Sequence, residues 1–261
     1  MRIRVSAAVV TGALAVSALA VPAAQAAPGD DPVKLSNIKV NGGKDVVVGT
    51  TAKKTFTVTF TASHSSNVYP DANISVWRGS NVDAPAGIET PTEWSTGADA
   101  CKETSATTST CKATFVLDPY FLGNADAATW KTDVLVQANE GNSQVESTNI
   151  KSWRLQRLSK LSTNASPEPI KKGKTLTVTG ALTRANWDTE KYAGYSSQSV
   201  KLQYQKRGST AWSTVKTVKS DGRGNLKTTV KATADGSFRY SFAGTSTTPA
   251  VNSGADYVDV R

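Results

Sequence analysis

The sequence is poor in the residues that most often carry chemistry: its 261 residues include one histidine, one methionine and two cysteines. A Ser-His-Asp or Cys-His catalytic unit would have to use His64. That residue lies in the polar run Ala62-Ser63-His64-Ser65-Ser66-Asn67, and no Gly-x-Ser-x-Gly turn occurs anywhere. Histidine-based zinc sites fail for the same reason, so His64 reads as an exposed loop histidine. No segment has a sustained helical period. After residue 26 no apolar stretch approaches the roughly 20 residues that a membrane-spanning helix needs. These absences point to an all-β protein that is not an enzyme and calls for no cofactor.

The one apolar run is at the start. Arg2 and Arg4 precede Val5 to Ala20, followed by Pro22 and Ala24-Gln25-Ala26. This is the pattern of a secretory signal with an Ala-x-Ala cleavage site, which places the mature start at Ala27. As a membrane anchor the run is too short, too rich in alanine, and interrupted by Ser6, Thr11 and Gly12. The expected location is therefore secreted, with no transmembrane segment in the mature chain, no nucleic-acid partner, and either release or non-covalent retention at the cell wall. In such an oxidising space Cys101 and Cys111 are expected to bridge and close a small loop. Neither histidine nor CxxC spacing supports a metal or redox pair instead.

Charge is distributed unevenly. Ala27 to Leu158 carries 12 Lys and Arg against 14 Asp and Glu, whereas Ser159 to Arg261 carries 16 against 7, so the net charge of +9 resides in the C-terminal half. Such a balance bears on partners rather than on fold.

Strand patterns fill both halves. Thr55-Phe56-Thr57-Val58-Thr59-Phe60-Thr61 alternates without a break, and Lys174-Thr175-Leu176-Thr177-Val178-Thr179 repeats the pattern of Lys54 to Thr59. They read as equivalent early strands of two similar units. Further on, Val200, Leu202 and Tyr204 alternate, then Leu226, Thr228 and Val230, then Phe238, Tyr240 and Phe242. Gly-containing turns separate these runs and predict an antiparallel meander. The expected organisation is a signal peptide over residues 1–26, an immunoglobulin-like β-sandwich with the disulfide over 27–158, a polar, Pro-containing linker over 159–169, and a basic immunoglobulin-like β-sandwich over 170–261.

The run Thr163-Asn164-Ala165-Ser166-Pro167-Glu168-Pro169 through Lys171 to Leu176, with Phe242-Ala243-Gly244-Thr245 and Ser253 to Val258, resembles the secreted Ig-like proteins of actinobacteria. The resemblance implies a β-sandwich fold and export. Some members carry a calcium-binding label, and the resemblance fixes no metal ligands in this sequence.

Three groups of residues are candidates for function. Trp187, Tyr192 and Tyr195 stand around Asp188 and Glu190, where aromatic faces could stack on a sugar; filling the end of the sandwich core is the other reading. Asp188 and Glu190 themselves read as solvated loop acids, since no cleft is expected to hold them as a hydrolytic pair. Asp221-Gly222-Arg223-Gly224-Asn225 offers oxygens, but its cationic neighbours favour a hairpin turn over calcium. Finally, if Leu226, Phe238 and Leu202 point inward, then Lys201, Lys227, Lys231 and Arg239 point outward and share one exposed face. That face either protects sheet edges and aids solvation, or adheres to an anionic cell-wall polymer or carbohydrate.

Overall fold

Alternation of apolar residues with threonine gives the chain pleated strands with one dry side, and such strands must pair two sheets face to face to bury it. The computed structural model describes residues 31–80 and 99–261; the expected signal segment and most of the Ser/Thr-rich stretch before Cys101 lie outside them. Among the described residues there is no α-helix, only strands and single 3-10 turns. None is a helix long and apolar enough to cross a membrane.

The N-terminal half contains β1 (Lys34–Val40), β2 (Val46–Val48), β3 (Lys54–Ser63), β4 (Val68–Trp77), β5 (Cys101–Ser105), β6 (Thr108–Leu117), β7 (Thr129–Ala138) and β8 (Gln144–Arg157). They form two sheets, ordered β1-β3-β6-β5 and β2-β8-β7-β4. All pairings are antiparallel except β2 with β8. On the inner faces Phe56 stacks on its cross-strand neighbour Phe115, and Trp130 on Trp153, with ring centroids 5.3 and 5.6 Å apart, and Phe56 meets Trp153 across the sheets at 5.2 Å. Cys101 and Cys111 are bridged and lie directly opposite one another on β5 and β6.

The C-terminal half contains β9 (Ser159–Leu161), β10 (Asn164–Ser166), β11 (Thr175–Asn186), β12 (Lys191–Gly194), β13 (Ser199–Lys206), β14 (Ser213–Lys219), β15 (Asn225–Lys231), β16 (Gly236–Phe242), β17 (Val251–Asn252) and β18 (Asp256–Val258). One sheet centres on β11, which pairs with β10 and β15 along one stretch and with β9 and β12 along the other. The second runs β14-β13-β16, with β17 and β18 both on β16. Both halves are thus immunoglobulin-like β-sandwiches of mainly antiparallel strands. The two matching runs, in β3 and β11, occupy the same central place in their sheets, and Phe56, Val58, Leu176 and Val178 are all buried.

Two expectations are corrected. The chain does not meander through neighbouring strands from β13 to β16. The turn after β14 carries it to the β11 sheet, where β15 pairs, and the next turn returns it beside β13. Alternation identifies the inward side of a strand but not which of two facing sheets receives it. Nor is 159–169 a linker with few contacts. Only Leu158 separates β8 from β9, and both β9 and β10 are hydrogen-bonded to β11.

Candidate functional site

Of the three aromatic residues expected near a sugar, Trp187 and Tyr192 are instead built into the joint between the sandwiches and Tyr195 packs against the C-terminal core. Trp187 opens a 3-10 turn at the end of β11 and is 2% exposed, packed in the core cluster of the N-terminal half, with its Nε1 donating to the Gly49 carbonyl at 2.8 Å. Tyr192 is half-buried against the same cluster under the Lys160 ammonium, 3.6 Å from the ring centroid. A side chain at Gly49 would meet its hydroxyl at 3.3 Å. Tyr195 packs edge-on against Phe242 beneath the Arg184 guanidinium. With Trp187 buried, the three present no stacking platform. The apolar body of an indole is worth more in a core than in water, and this core was within reach.

Polar groups complete the joint. Asn124 donates from its backbone to Asp188 Oδ1 at 2.8 Å and from its side chain to the other oxygen of the same carboxylate and to Asn186; Asp188 is therefore not a free loop acid. Glu190 is exposed and caps the turn in a left-handed conformation. Arg157, at the end of β8, donates from Nε to the Ala185 carbonyl, while Gln156 donates to the carbonyls of Thr245 and Ser246. Burial, followed by the nearby Arg184 cation, pushes the Arg157 guanidinium down to about 10. His64 is also not an exposed loop residue. It is buried, with Nε2 3.0 Å from an Asp31 carboxylate oxygen and Nδ1 2.8 Å from the Ser66 hydroxyl.

The cations divide between two sheets. Lys227 and Lys231 lie opposite Thr179 and Thr175 on the outer face of the β11 sheet. Lys201 and Arg239 lie on the other sheet: Lys201 opposes Ser241, and Arg239 opposes Gln203. The expectation that all four share a face is corrected, because the outer sides of facing sheets point in opposite directions. Lys201 and Arg239 are diagonal neighbours, a relation that sets residues about 7–8 Å apart. Arg239 is held in place, donating from Nε to Gln203 Oε1 at 2.8 Å, with its guanidinium carbon 4.1 Å from the Trp212 ring centroid. Gln203 shares the outward register of Lys201 and was readable from the alternation of β13. Trp212 sits in the β13–β14 connection, where the sequence pattern assigns no face.

Negative charge is kept away from these strands. No Asp or Glu occurs in β9 to β17. Most acids of this half sit in turns or at the rim and accept internal hydrogen bonds. Asp221 accepts from the backbone N–H groups of Arg223 and Asn225, each at 2.8 Å, and the Asn225 contacts hold its carboxyl below the usual range. Asp235 accepts from the Val260 N–H and from Arg207, which lower it likewise. Asp256 accepts from the Ala165 N–H at 2.6 Å. The Asp221 turn is thus closed on its own donors. Among the described residues no group of three or more His, Cys, Asp or Glu is placed to hold a metal ion.

No family model and no curated protein matches this sequence. Among solved structures the chain is similar to the fibronectin(III)-like modules of Clostridium thermocellum CbhA, at 9% identity and a TM-score of 0.33 over 85% of this chain and 92% of that one. It is also similar to the D00-D0 domain of intimin, at 14% identity and 0.27 over 86% and 99%. A third likeness is to the Yersinia pseudotuberculosis adhesin InvE, at 13% identity and 0.26 over 87% and 58%. Likeness at this level carries no argument about activity or partner.

Proposed function

We propose that this is an exported, non-catalytic binding protein whose C-terminal sandwich holds an anionic cell-wall polymer on the outer face of the β14-β13-β16 sheet. One observation carries the reading: strands β9 to β17 lack any carboxylate, and the fold brings Lys201 and Arg239 onto adjacent strands of one face, beside Gln203 and Trp212. Each exposed contact of this kind is weak, about 0.2–1 kcal/mol, so binding arises from several along a repeating polymer. Lys227 and Lys231 face away from that surface and steer by their charge rather than by contact.

The test uses the chain from Ala27, which retains every described residue, and its retention on poly(glycerol phosphate) beads as salt is raised. The Debye length shrinks from about 10 Å at 0.1 M to 3 Å at 1 M, so retention should collapse across that range. It should be indifferent to a calcium chelator, since cationic side chains make the contacts. Retention that survives 1 M salt, or that chelation abolishes, contradicts the proposal.

A further inference from the structure

The two sandwiches treat one edge differently. In the N-terminal half the central strand β3 is flanked by β6, whose far side is covered by β5 and tied by the Cys101–Cys111 bridge. In the C-terminal half the corresponding neighbour of β11 is β15, and among the described residues β15 has no further partner. The strand that precedes it, β14, pairs with β13 in the opposite sheet and, among the described residues, has no strand on its other edge. Between these two bare edges the sandwich opens into a cleft of about 460 Å³, whose apolar lining includes Leu176, Val215, Val230 and Phe238. Val215 is 45% exposed, and burying such a side chain recovers hydrophobic free energy that the fold alone leaves unrealised.

The rim decides what fits. Lys216 lies opposite Leu202, so its register points to the core side of β14, and its Nζ reaches across the mouth to 3.5 Å from the Thr229 carbonyl of β15. Lys231 borders the same mouth. Neither lysine has an ion pair among the described residues. The Tyr204 hydroxyl in the lining already donates its one proton to the carbonyls of Ala234 and Asp235, both at 2.9 Å. An inward charge on an edge strand opposes the addition of a further strand, and two copies of this lysine-bearing edge repel each other. We propose that the cleft binds a monomeric amphiphile: one unbranched alkyl chain lying between β14 and β15, with an anionic head held by Lys216. The volume falls within the range of small-molecule sites, about 300–1,000 Å³.

The probe is laurate below its micellar concentration, titrated calorimetrically into the chain from Ala27. Saturable binding of one laurate per chain is expected, weakening about fourfold per methylene removed, so that decanoate binds about 15-fold less tightly. Dodecanol, which lacks the charge, and the variant Lys216→Glu should each bind at least tenfold more weakly than the parent pair, whereas Lys216→Arg should retain affinity. Val215→Glu, at an exposed position that the fold tolerates, should abolish binding. Lys201→Glu with Arg239→Glu should leave it unchanged, which separates this site from the polymer face. No saturable binding of laurate, or binding that ignores both Val215→Glu and chain length, overturns the proposal. Self-association through this edge without laurate binding also overturns it and assigns the edge to a strand partner.

Discussion

The two sandwiches share a strand plan and differ in how each completes its core. The C-terminal core, around Leu176, Val178, Leu202, Tyr240 and Phe242, draws only on residues after Leu158. The N-terminal core does not close on its own residues: Ala185 and Trp187 are buried members of its cluster, and Tyr192 packs against it. One half is self-contained and the other borrows. Cationic residues follow the same division, since the self-contained half carries the net positive charge and the bare edges. The half that borrows carries the disulfide and the stacked aromatics. A domain that presents a charged face and an open cleft cannot also lean on its neighbour for packing without coupling binding to the joint.

Cutting the chain at Leu158 is the harshest way to break the comparison. The fragment from Ser159 to Arg261 should fold alone and unfold cooperatively, with Trp187 fluorescence shifted to that of an exposed indole. The fragment from Ala27 to Leu158 should be strongly destabilised or unfolded. A folded N-terminal fragment as stable as the half within the full chain would show that the borrowed residues are incidental.

Within the intact chain, Trp187→Ala should cost about 3–5 kcal/mol, the usual range for emptying a buried tryptophan site, with the hydrogen bond to Gly49 lost as well. Amide exchange should locate that loss in β2 and β8 and spare β13 and β16. Uniform loss across both halves would mean that the cores are one cooperative unit. Reducing the Cys101–Cys111 bridge, which links residues 10 apart, should cost somewhat less than the roughly 3 kcal/mol of a 15-residue loop, again in the N-terminal half alone.

The strands themselves were legible because Phe56, Val58 and Phe60, like Leu176 and Val178, mark an inward side at every second position. The sheet that each strand joins was not, because β15 and β16 carry the same alternation and enter opposite sheets. The strand pairing of 159–166 was hidden for a related reason. Ser159 to Pro169 has the composition of a loop, yet register against β11 overrides the weak strand preference of Ser and Asn. Trp187 was visible as a candidate, but its destination depends on Gly49 and Asn124, which are remote in sequence. Likewise His64 looked exposed in its polar surroundings, because nothing local reveals that Asp31 meets its ring.

Acid should separate the halves more gently. Asp221 and Asp235 have lowered carboxyls in the folded state, so their stabilisation is present above the ordinary value of 3.8 and is lost as pH falls through the lower folded values. Asp133, on β7, is raised by burial and then by Glu146, so it opposes folding at neutral pH; this penalty starts to fade as pH falls to the raised value and is gone below the ordinary 3.8. Asp133→Asn should therefore stabilise the N-terminal half at neutral pH, and the gain should vanish in acid. Asp235→Asn should weaken the C-terminal half at neutral pH and make no difference once the parent carboxyl is protonated. Exchange rates in β7 and β16 across the acid range would report both.

The measurement that bears most directly on the account compares two double variants of equal charge, Lys201→Glu with Arg239→Glu and Lys227→Glu with Lys231→Glu, for retention on poly(glycerol phosphate) at low salt. The division of cations between opposite faces predicts that the first pair removes most of the retention, while the second lowers it modestly through the weaker overall field. Equal losses from both pairs would show that net charge alone governs binding and that the Lys201 and Arg239 face is not a site.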